Sequence, residues 1–359
     1  MFHIALNTTC DLEAIAKNAI AGKSPSHVMW EMSQFLGATI HQAKEIKILP
    51  VDRILAKIIG CPEYWALARQ LSSEVQDGDV IYCDGESLGI PIAVLCSAKN
   101  RRPKIMVLFN NINRIRGRLA LKLFDIANRI DLFVTYSTSQ AEFLHNYLHL
   151  SEQHIYQMVS YPPVDTSFFT PGLASDKKLR PLIGSGGLEK RDYRTLADAT
   201  KDLDVDVKVC AFSQNANASK KTFPKITPSN MSFDYYEWYD LLQLYRDSDL
   251  VVVPLFKNNY QAGLTTMLEA MACQRPVIIT RPPKGRIISQ LIDSGIVTGV
   301  NPGDSVGLKQ AIQKLLNDPQ KAEAQAKRGY EIILHEFTHS KYIQTLVTNM
   351  KSLIPLSPT

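Results

Sequence analysis

The sequence alternates short runs of β-branched and aromatic residues with longer helical segments, and this alternation constrains the fold more than any other feature. In the first half, the runs MFHIAL, DVIYC, KIMVLF and DLFVTYS are typical of strands. Between them, SHVMWEMSQFLGA, GIPIAVLCSAKN, LALKLFDIANRI and SQAEFLHNYL have helical periodicity. Strands that alternate with helices predict βα units arranged around a parallel sheet.

The alternation stops at YPPVDTSFFTPG, residues 161–172, where three prolines and a glycine interrupt regular structure. It restarts with RPLIGSG, and strand-like runs recur at VDVKVCAF, DLVVVPLF, PVIIT and GIVTGV. A length of 359 residues also favours two domains. We therefore expect an α/β protein with two doubly wound, Rossmann-like domains that face a cleft, formed by residues 1–165 and 166–339. Helix 340–359 would pack back onto the first domain.

Composition excludes several classes of protein. The net charge of +5 is too small to predict nucleic-acid binding. No window approaches 18 uninterrupted apolar residues, and the N-terminus has no basic segment, so we expect neither a transmembrane helix nor a secretory signal. The six cysteines form no CxxC pair and no cluster with zinc spacing. We expect a cytoplasmic protein without a structural metal.

The stretch QAGLTTMLEAMACQRPVI, residues 261–278, predicts a loop followed by a helix whose N-terminus could bind an anion. Thr265 or Thr266 can cap the helix, and Gly263 lets the backbone approach a ligand closely. Amides in the first helical turn would bind a diphosphate, and Glu269, one turn further, could accept hydrogen bonds from a ribose diol. The alternative is an amphipathic helix with one solvated glutamate.

This stretch resembles the donor-site motif of GT-B glycosyltransferases of the retaining family-four type, the glycosyl transferases group 1. The family motif has one glutamate, seven intervening residues, a second glutamate, then Ala-Met-Ala and Pro-Val-Ile. Glu269 matches the second glutamate, which binds the nucleotide ribose in that family. Gln261 stands at the first, which meets the donor sugar, so this chain lacks that negative charge.

Other segments extend the resemblance over roughly residues 155–345. IGSGGLEKRDYRTLADA is similar to the family's glycine-rich turn and basic pair, although Gly187 replaces the usual arginine. The segments YPPVDTSFFTP and NPGDSVGLKQAIQKLLNDP are similar to its linker and a late helix. The resemblance implies a GT-B fold and a retaining, metal-independent hexosyltransferase that needs no cofactor and uses a UDP- or GDP-linked sugar. The implied donor site comprises Lys190, Arg191, Gln261, Gly263, Leu264, Thr265 and Glu269.

Two Asp-x-Asp pairs, in DLDVDVKV and RDSDLVVV, precede their strands instead of following them. We interpret both as turns and expect no catalytic metal. The acceptor would bind the N-terminal domain and could be a glycan, a lipid or a small molecule. Because Gln261 and Gly187 depart from the family pattern, the alternative is an inactive GT-B module that binds carbohydrate or a partner enzyme.

The N-terminal half offers weaker candidates. His27, at the start of a helix, could contact donor or acceptor, or move a proton; the alternative is a helix-capping histidine. Together with Gln261 it is a candidate catalytic residue. Asp84 and Glu86 end a strand, where they could bind the acceptor or form a solvated loop.

Residues 99–124 contain eight basic side chains and no acidic one. Arg114, Arg118 and Lys122 would share one helical face, beside apolar residues. Such a surface could contact anionic lipid at the inner face of a membrane, steer an anionic acceptor, or be an ordinary solvated face. A lipid-linked or polysaccharide acceptor fits the first of these.

Overall fold

The computed structural model describes residues 1–98, 102–158, 162–175, 178–211, 221–258, 262–280 and 286–354. The chain forms two compact units. The first consists of Met1–Ala16, His27–Tyr161 and Tyr342–Thr359, and the second of Lys17–Ser26 and Pro162–Lys341. Each unit is built on a parallel sheet flanked by helices, so the prediction of two Rossmann-like α/β domains is confirmed.

The sheet of the first unit has the strand order β2-β1-β3-β4-β5-β6, and every pair of neighbours is parallel. The strands are β1 Phe2–Leu6, β2 Thr39–Gln42, β3 Val80–Cys83, β4 Lys104–Leu108, β5 Leu132–Thr135 and β6 Ile155–Gln157. All residues of β3 and β5 are buried, as expected where helices cover both faces of a parallel sheet.

Helices pack on both faces of this sheet. They are α1 Leu12–Ile20, α2 Val28–Leu36, α3 Pro50–Leu55, α4 Pro62–Glu74, α5 Glu86–Cys96, α6 Ile115–Leu123 and α7 Thr138–Leu148. One face forms a core around Trp65 and Phe133. The other core includes Met32 and Tyr82, and it is completed from Tyr342 onward by the C-terminal helix, which begins at His339.

The sheet of the second unit has the order β12-β11-β10-β7-β8-β9, again with parallel neighbours. Its strands are β7 Leu182–Gly186, β8 Asp206–Cys210, β9 Met231–Asp234, β10 Leu250–Val253, β11 Val277–Thr280 and β12 Thr298–Val300. The remaining helices are α8 Tyr193–Thr200, α9 Trp238–Asp247, α10 Leu264–Ala272, α11 Arg286–Asp293, α12 Ser305–Leu316, α13 Pro319–Glu336 and α14 His339–Ser352.

The segment predicted as a linker packs into the second unit. Val164 pairs with Thr338 in an isolated bridge, and Phe168 and Phe169 are buried in the core, where Phe169 lies 6.1 Å from the ring of Tyr245. Its prolines stop regular structure, as predicted, but its aromatic side chains fix it in place.

Six elements were not predicted: the helices α1, α3 and α4 and the strands β2, β6 and β9. The strands are three or four residues long, and none of them is fully buried. Only Leu12 of α1 is buried, so this helix contributes little to the core. Short edge strands leave little signal in the hydrophobic pattern.

The described helices include none that is long and apolar enough to span a membrane. All six cysteines are free thiols. The two Asp-x-Asp pairs lie at the starts of β8 and β10, where Arg180 binds Asp204 and Asp206, and Asp249 accepts from the Leu182 amide. These pairs therefore lie at the amino ends of β8 and β10, opposite the carboxyl ends, where parallel sheets bind ligands.

Candidate active site

The turn after β7 is shaped by a glycine that no other residue can replace without strain. Gly187 has a φ of 88°, and a Cβ added there would lie 2.5 Å from Nη2 of Arg191. The carbonyl oxygen of Gly187 also accepts from the Tyr193 hydroxyl. The guanidinium of Arg191 therefore occupies the space in which a side chain at position 187 would begin. Proteins of the group that this sequence resembles usually have arginine at position 187. Here Gly187 stands at that position, and the positive charge beside it belongs to Arg191.

Arg191 is only 4% exposed, and its guanidinium joins the β7 turn to α10. Its Nε donates to the carbonyl of Gly186 at 2.7 Å and its Nη1 to the carbonyl of Glu189 at 2.9 Å. Its Nη2 donates to Oγ1 of Thr266 at 3.0 Å. We predicted Lys190 or Arg191 as the partner of a diphosphate. In the structure, the buried guanidinium of Arg191 links the β7 turn to Thr266 of α10, and we call this set of contacts the Arg191 brace. Lys190 is exposed.

The 188–192 loop is held in place by the segment after β10. The amide of Asp192 donates to Pro254 and the amide of Phe256 to Lys190, at 3.0 and 2.9 Å. Arg191 and Leu255 form an antiparallel bridge between the same two segments. The two loops therefore form one unit at the carboxyl ends of β7 and β10, where ligands bind in sheets of this kind.

Helix α10 begins at Leu264, one or two residues earlier than predicted. Gly263, with a φ of 84°, is its N-cap, so the prediction of a threonine cap was wrong. A Cβ on Gly263 would lie 2.7 Å from Cγ1 of Val253, so packing requires this glycine independently of any ligand. Thr265 is exposed and Thr266 is buried against Arg191. The first-turn amides of Leu264, Thr265 and Thr266 have no carbonyl partner within the helix.

Glu269 lies one turn into α10 and is buried, with 9% of its surface exposed. Its Oε2 accepts a hydrogen bond from the hydroxyl of Tyr245 on α9 at 2.9 Å. Burial raises the pKa of Glu269 from 4.5 to about 7, against the opposing effects of that hydrogen bond and of the Arg191 charge. No partner for Oε1 lies among the described residues. The alternative of a solvated glutamate is therefore wrong.

Gln261, predicted to meet the donor sugar and to act in catalysis, lies outside the described residues.

In the first unit, His27 caps α2, and its Nδ1 accepts from the Met29 amide at 3.3 Å. This geometry matches the capping alternative. Glu86 opens α5, and its two carboxylate oxygens accept from the amides of Asn110 and Asn111 at 2.9 and 3.1 Å. Glu86 thus binds backbone, which neither predicted alternative anticipated. Burial raises the pKa of its neighbour Asp84 to about 6.

The basic segment is divided between two environments. Arg102 and Lys104 both pair with Asp131, at 2.7 and 3.0 Å, so one negative charge offsets part of their positive charge. Arg114, Arg118 and Lys122 lie on the exposed side of α6, as predicted. Lys99 and Arg101 lie outside the described residues.

Sequence reasoning missed Thr266 as an Arg191 partner and Tyr245 as a Glu269 partner. Tyr245 belongs to an amphipathic helix, where a buried tyrosine is ordinarily a core residue. No pattern in the sequence indicates that its hydroxyl meets a carboxylate 24 residues later.

The profile described as Glycosyl transferases group 1 matches residues 186–318, which include the turn, the brace and α10. No curated protein matches this sequence. Solved structures with similar folds include sucrose-phosphate synthase from Thermosynechococcus elongatus, at 14% identity and a TM-score of 0.70 over 98% of both chains.

Two further structures are similar over their full length. HepE of Anabaena, solved with UDP and glucose, is 15% identical with a TM-score of 0.69, over 98% of this chain and 100% of that one. A glycosyltransferase from Rickettsia africae is 13% identical with a TM-score of 0.69, over 99% of each chain.

The two parallel six-stranded sheets and the similar solved structures define the class of fold, a two-domain GT-B fold, as the sequence predicted. Its second unit carries the glycosyl transferases group 1 match.

Proposed function

We propose that this protein transfers a sugar from a nucleotide-sugar donor, bound by the second unit, to an acceptor bound by the first. The observation that carries the proposal is the Arg191 brace. It holds the glycine turn after β7 against the start of α10, and Glu269 lies one turn further along the same helix.

The chemistry of this arrangement suits a nucleoside diphosphate. The amides at Leu264 and Thr265 and the positive end of the helix dipole favour an anion, and exposed Lys190 adds a positive charge. The carboxylate of Glu269 would accept hydrogen bonds from the ribose hydroxyls. HepE structures contain UDP or UDP-glucose, which supports a UDP-linked donor here. A GDP-linked donor is the other predicted form.

We propose a reaction that retains the anomeric configuration and needs neither a metal nor a cofactor. The bond between the anomeric carbon and the diphosphate oxygen breaks, and a bond from that carbon to an acceptor oxygen forms. The acceptor proton passes to the leaving diphosphate. Lys190 and the amides of α10 would stabilise the charge that develops on the diphosphate. Gln261 remains the predicted contact to the donor sugar.

We propose a lipid-linked or polysaccharide acceptor, with peripheral contact to an anionic membrane. The support is the run from Asn110 to Phe124, which has four basic side chains and no acidic one. Arg114, Arg118 and Lys122 of this run are exposed. His27 and Glu86 are weaker acceptor candidates, because each already binds backbone amides.

A thermal-shift screen with UDP, GDP, UDP-glucose and GDP-mannose tests the donor. A nucleotide present at 100 times its Kd should stabilise the protein by about 2.7 kcal/mol. Lys190→Ala should weaken that shift, whereas Lys201→Ala, at an exposed lysine after α8, should not. The absence of a shift with every nucleotide would contradict the donor site.

The inactive-module alternative is tested by turnover. An active enzyme should release nucleoside diphosphate from the stabilising nucleotide sugar, even if only by slow hydrolysis. Tight binding of the nucleotide sugar with no hydrolysis and no transfer would favour the inactive module.

A further inference from the structure

Helix α6 presents an apolar stripe to solvent. Ile115, Leu119 and Leu123 are 88%, 56% and 57% exposed, and their spacing of four residues places them on one side of the helix. The helix buries Gly117, Ala120 and Leu121 on its other side. A helix that packs on a core normally exposes polar residues on its outer side. Three large aliphatic side chains aligned along the exposed side of α6 therefore indicate that this side contacts an apolar surface.

Positive charge borders the stripe. Arg118 lies 5.3 Å from the ring centre of Phe143, and Lys122 lies 4.7 Å from that of Tyr147, both on α7. The hydroxyl of Tyr147 donates to the Arg118 carbonyl at 3.1 Å, which ties α7 to α6. These rings hold the two cations beside Leu119 and Leu123, while Arg114 precedes Ile115. Because α6 contains no acid, its exposed surface is apolar and positive only.

A second helix extends the surface. Arg116 of α6 donates to the carbonyls of Ala56, Lys57 and Ile58 at the end of α3, over 2.6 to 3.3 Å. Helix α3 exposes Val51 and Ile54, which are 49% and 61% exposed. The acid of α3, Asp52, is buried and paired with Arg69, whereas Arg53 is exposed. Two adjoining helices thus present the same combination of aliphatic and cationic side chains.

This surface begins at the ligand-binding edge of the first unit. Glu86, which follows β3, holds the amides of Asn110 and Asn111, which follow β4. Helix α6 starts four residues later. The carboxyl ends of parallel strands are where α/β sheets bind ligands. A surface bound by α6 would therefore lie beside the edge proposed to receive the acceptor.

We propose that α3 and α6 form a docking surface for an anionic lipid bilayer, into which Ile115, Leu119 and Leu123 insert while the flanking basic residues bind lipid phosphates. Charge complementarity selects this occupant, because the exposed basic residues of α6 fit anionic headgroups and would repel the same face of a second copy. The membrane role rests on the proposed function, but docking uses the first unit and can be measured without the donor.

Co-sedimentation with vesicles tests the surface. The protein should bind vesicles that contain phosphatidylglycerol and not vesicles of phosphatidylcholine alone. The double variant Leu119→Ser with Leu123→Ser should lower the partition at least about tenfold, equal to about 1.4 kcal/mol. Replacing Arg114, Arg118 and Lys122 by serine should lower it similarly. The matched control replaces Val306 and Leu334, exposed aliphatic residues of the second unit, by serine and should leave it unchanged.

Fluorescence separates insertion from surface attraction. Leu119→Trp should show a blue shift in emission with anionic vesicles, and Leu334→Trp should not. The proposal is overturned if the wild-type protein ignores anionic vesicles at low salt, if neutral vesicles bind equally, or if the serine variants bind like the wild type. A dimer without vesicles that Leu119→Ser dissociates would identify a second copy as the occupant instead. UDP-glucose affinity, measured separately, reports on the donor site alone.

Discussion

The hydroxyl of Tyr245 donates a hydrogen bond to Oε2 of Glu269 at 2.9 Å, and this contact joins α9 to α10 inside the second unit. Both side chains are buried. The contact fixes one carboxylate oxygen and leaves the other without a partner among the described residues. Because a hydrogen bond to the charged form favours ionisation, Tyr245 also opposes the effect of burial on the Glu269 pKa.

Tyr245→Phe should therefore weaken binding of UDP-glucose without removing a direct contact to it. The loss should be roughly 1.5 kcal/mol at neutral pH, since hydrogen bonds to charged groups contribute about this much. Calorimetry measures the affinity. Tyr342→Phe, which removes another buried hydroxyl, bonded to Tyr82 in the first unit, is the matched control. Equal affinities of wild type and Tyr245→Phe would show that Tyr245 does not position Glu269.

The affinity for UDP-glucose should increase as the pH is raised from below to above about 7, the pKa of Glu269. Glu269 is protonated below its raised pKa, and only the carboxylate accepts ribose hydrogen bonds on both oxygens. UDP-glucose is the suitable probe because its diphosphate has no terminal phosphate to titrate in this range. In Tyr245→Phe the pKa of Glu269 should rise further, so the rise in affinity should move to higher pH. A flat affinity profile between pH 6 and 8 in the wild type would contradict this prediction.

The same carboxyl should make the unliganded protein less stable as pH rises. Its pKa is 4.5 when unfolded and about 7 when folded, so between these values the native state binds more protons. Its contribution to the free energy of unfolding is complete below 4.5 and is lost as pH rises through about 7. Glu269→Gln should flatten this part of the stability profile. Urea melts at several pH values measure the effect, and parallel profiles for the two proteins would rule it out.

Glu269→Ala should reduce both stability and nucleotide binding. The buried Tyr245 hydroxyl would lose its acceptor, at a cost of about 1–3 kcal/mol in the free energy of unfolding. Nucleotide affinity should fall by about 1.5–3 kcal/mol. Combining Glu269→Ala with Tyr245→Phe should recover stability but not affinity, because no unpaired hydroxyl remains. If the double variant is no more stable than Glu269→Ala, the buried hydroxyl is satisfied elsewhere.

Introducing an arginine at position 187 should damage the site. A residue there needs a positive φ, at about 1–2 kcal/mol, and its Cβ would collide with Arg191. Gly187→Ala should therefore lower the melting temperature more than Gly303→Ala, whose glycine has a φ of 78° but open space around it. Gly187→Arg should also weaken UDP-glucose binding. A Gly187→Arg variant that binds UDP-glucose more tightly than the wild type would contradict the assignment of Arg191 as a brace.

Transfer activity should survive EDTA. The proposed mechanism assigns the diphosphate charge to Lys190 and the α10 amides, so chelation should leave the rate unchanged. Activity against the stabilising nucleotide sugar, assayed with and without EDTA and again after Mn²⁺ or Mg²⁺, measures this. Loss on chelation that either ion restores would require a metal in the mechanism.

The sequence by itself determined the class of fold. Buried parallel strands such as Leu250–Val253 are continuous apolar runs, and helices such as Trp238–Asp247 carry periodic apolar residues, so local patterns suffice to predict them. The motif around Glu269 also sufficed to predict the profile that matches residues 186–318, because it is a contiguous stretch in which residue types and spacing are both visible.

Tertiary structure decided what those residues contact. Arg191 meets Thr266 across 75 positions, and Tyr245 meets Glu269 across 24. Such pairs depend on how β7, α9 and α10 pack, which no local pattern specifies. Packing made Arg191 a link between the β7 turn and α10. It also made a glycine rather than a threonine the cap of α10, and it buried a glutamate that could have been solvated. The physical reason is that periodicity encodes which face of an element is buried, whereas hydrogen-bond partners depend on the three-dimensional register between elements.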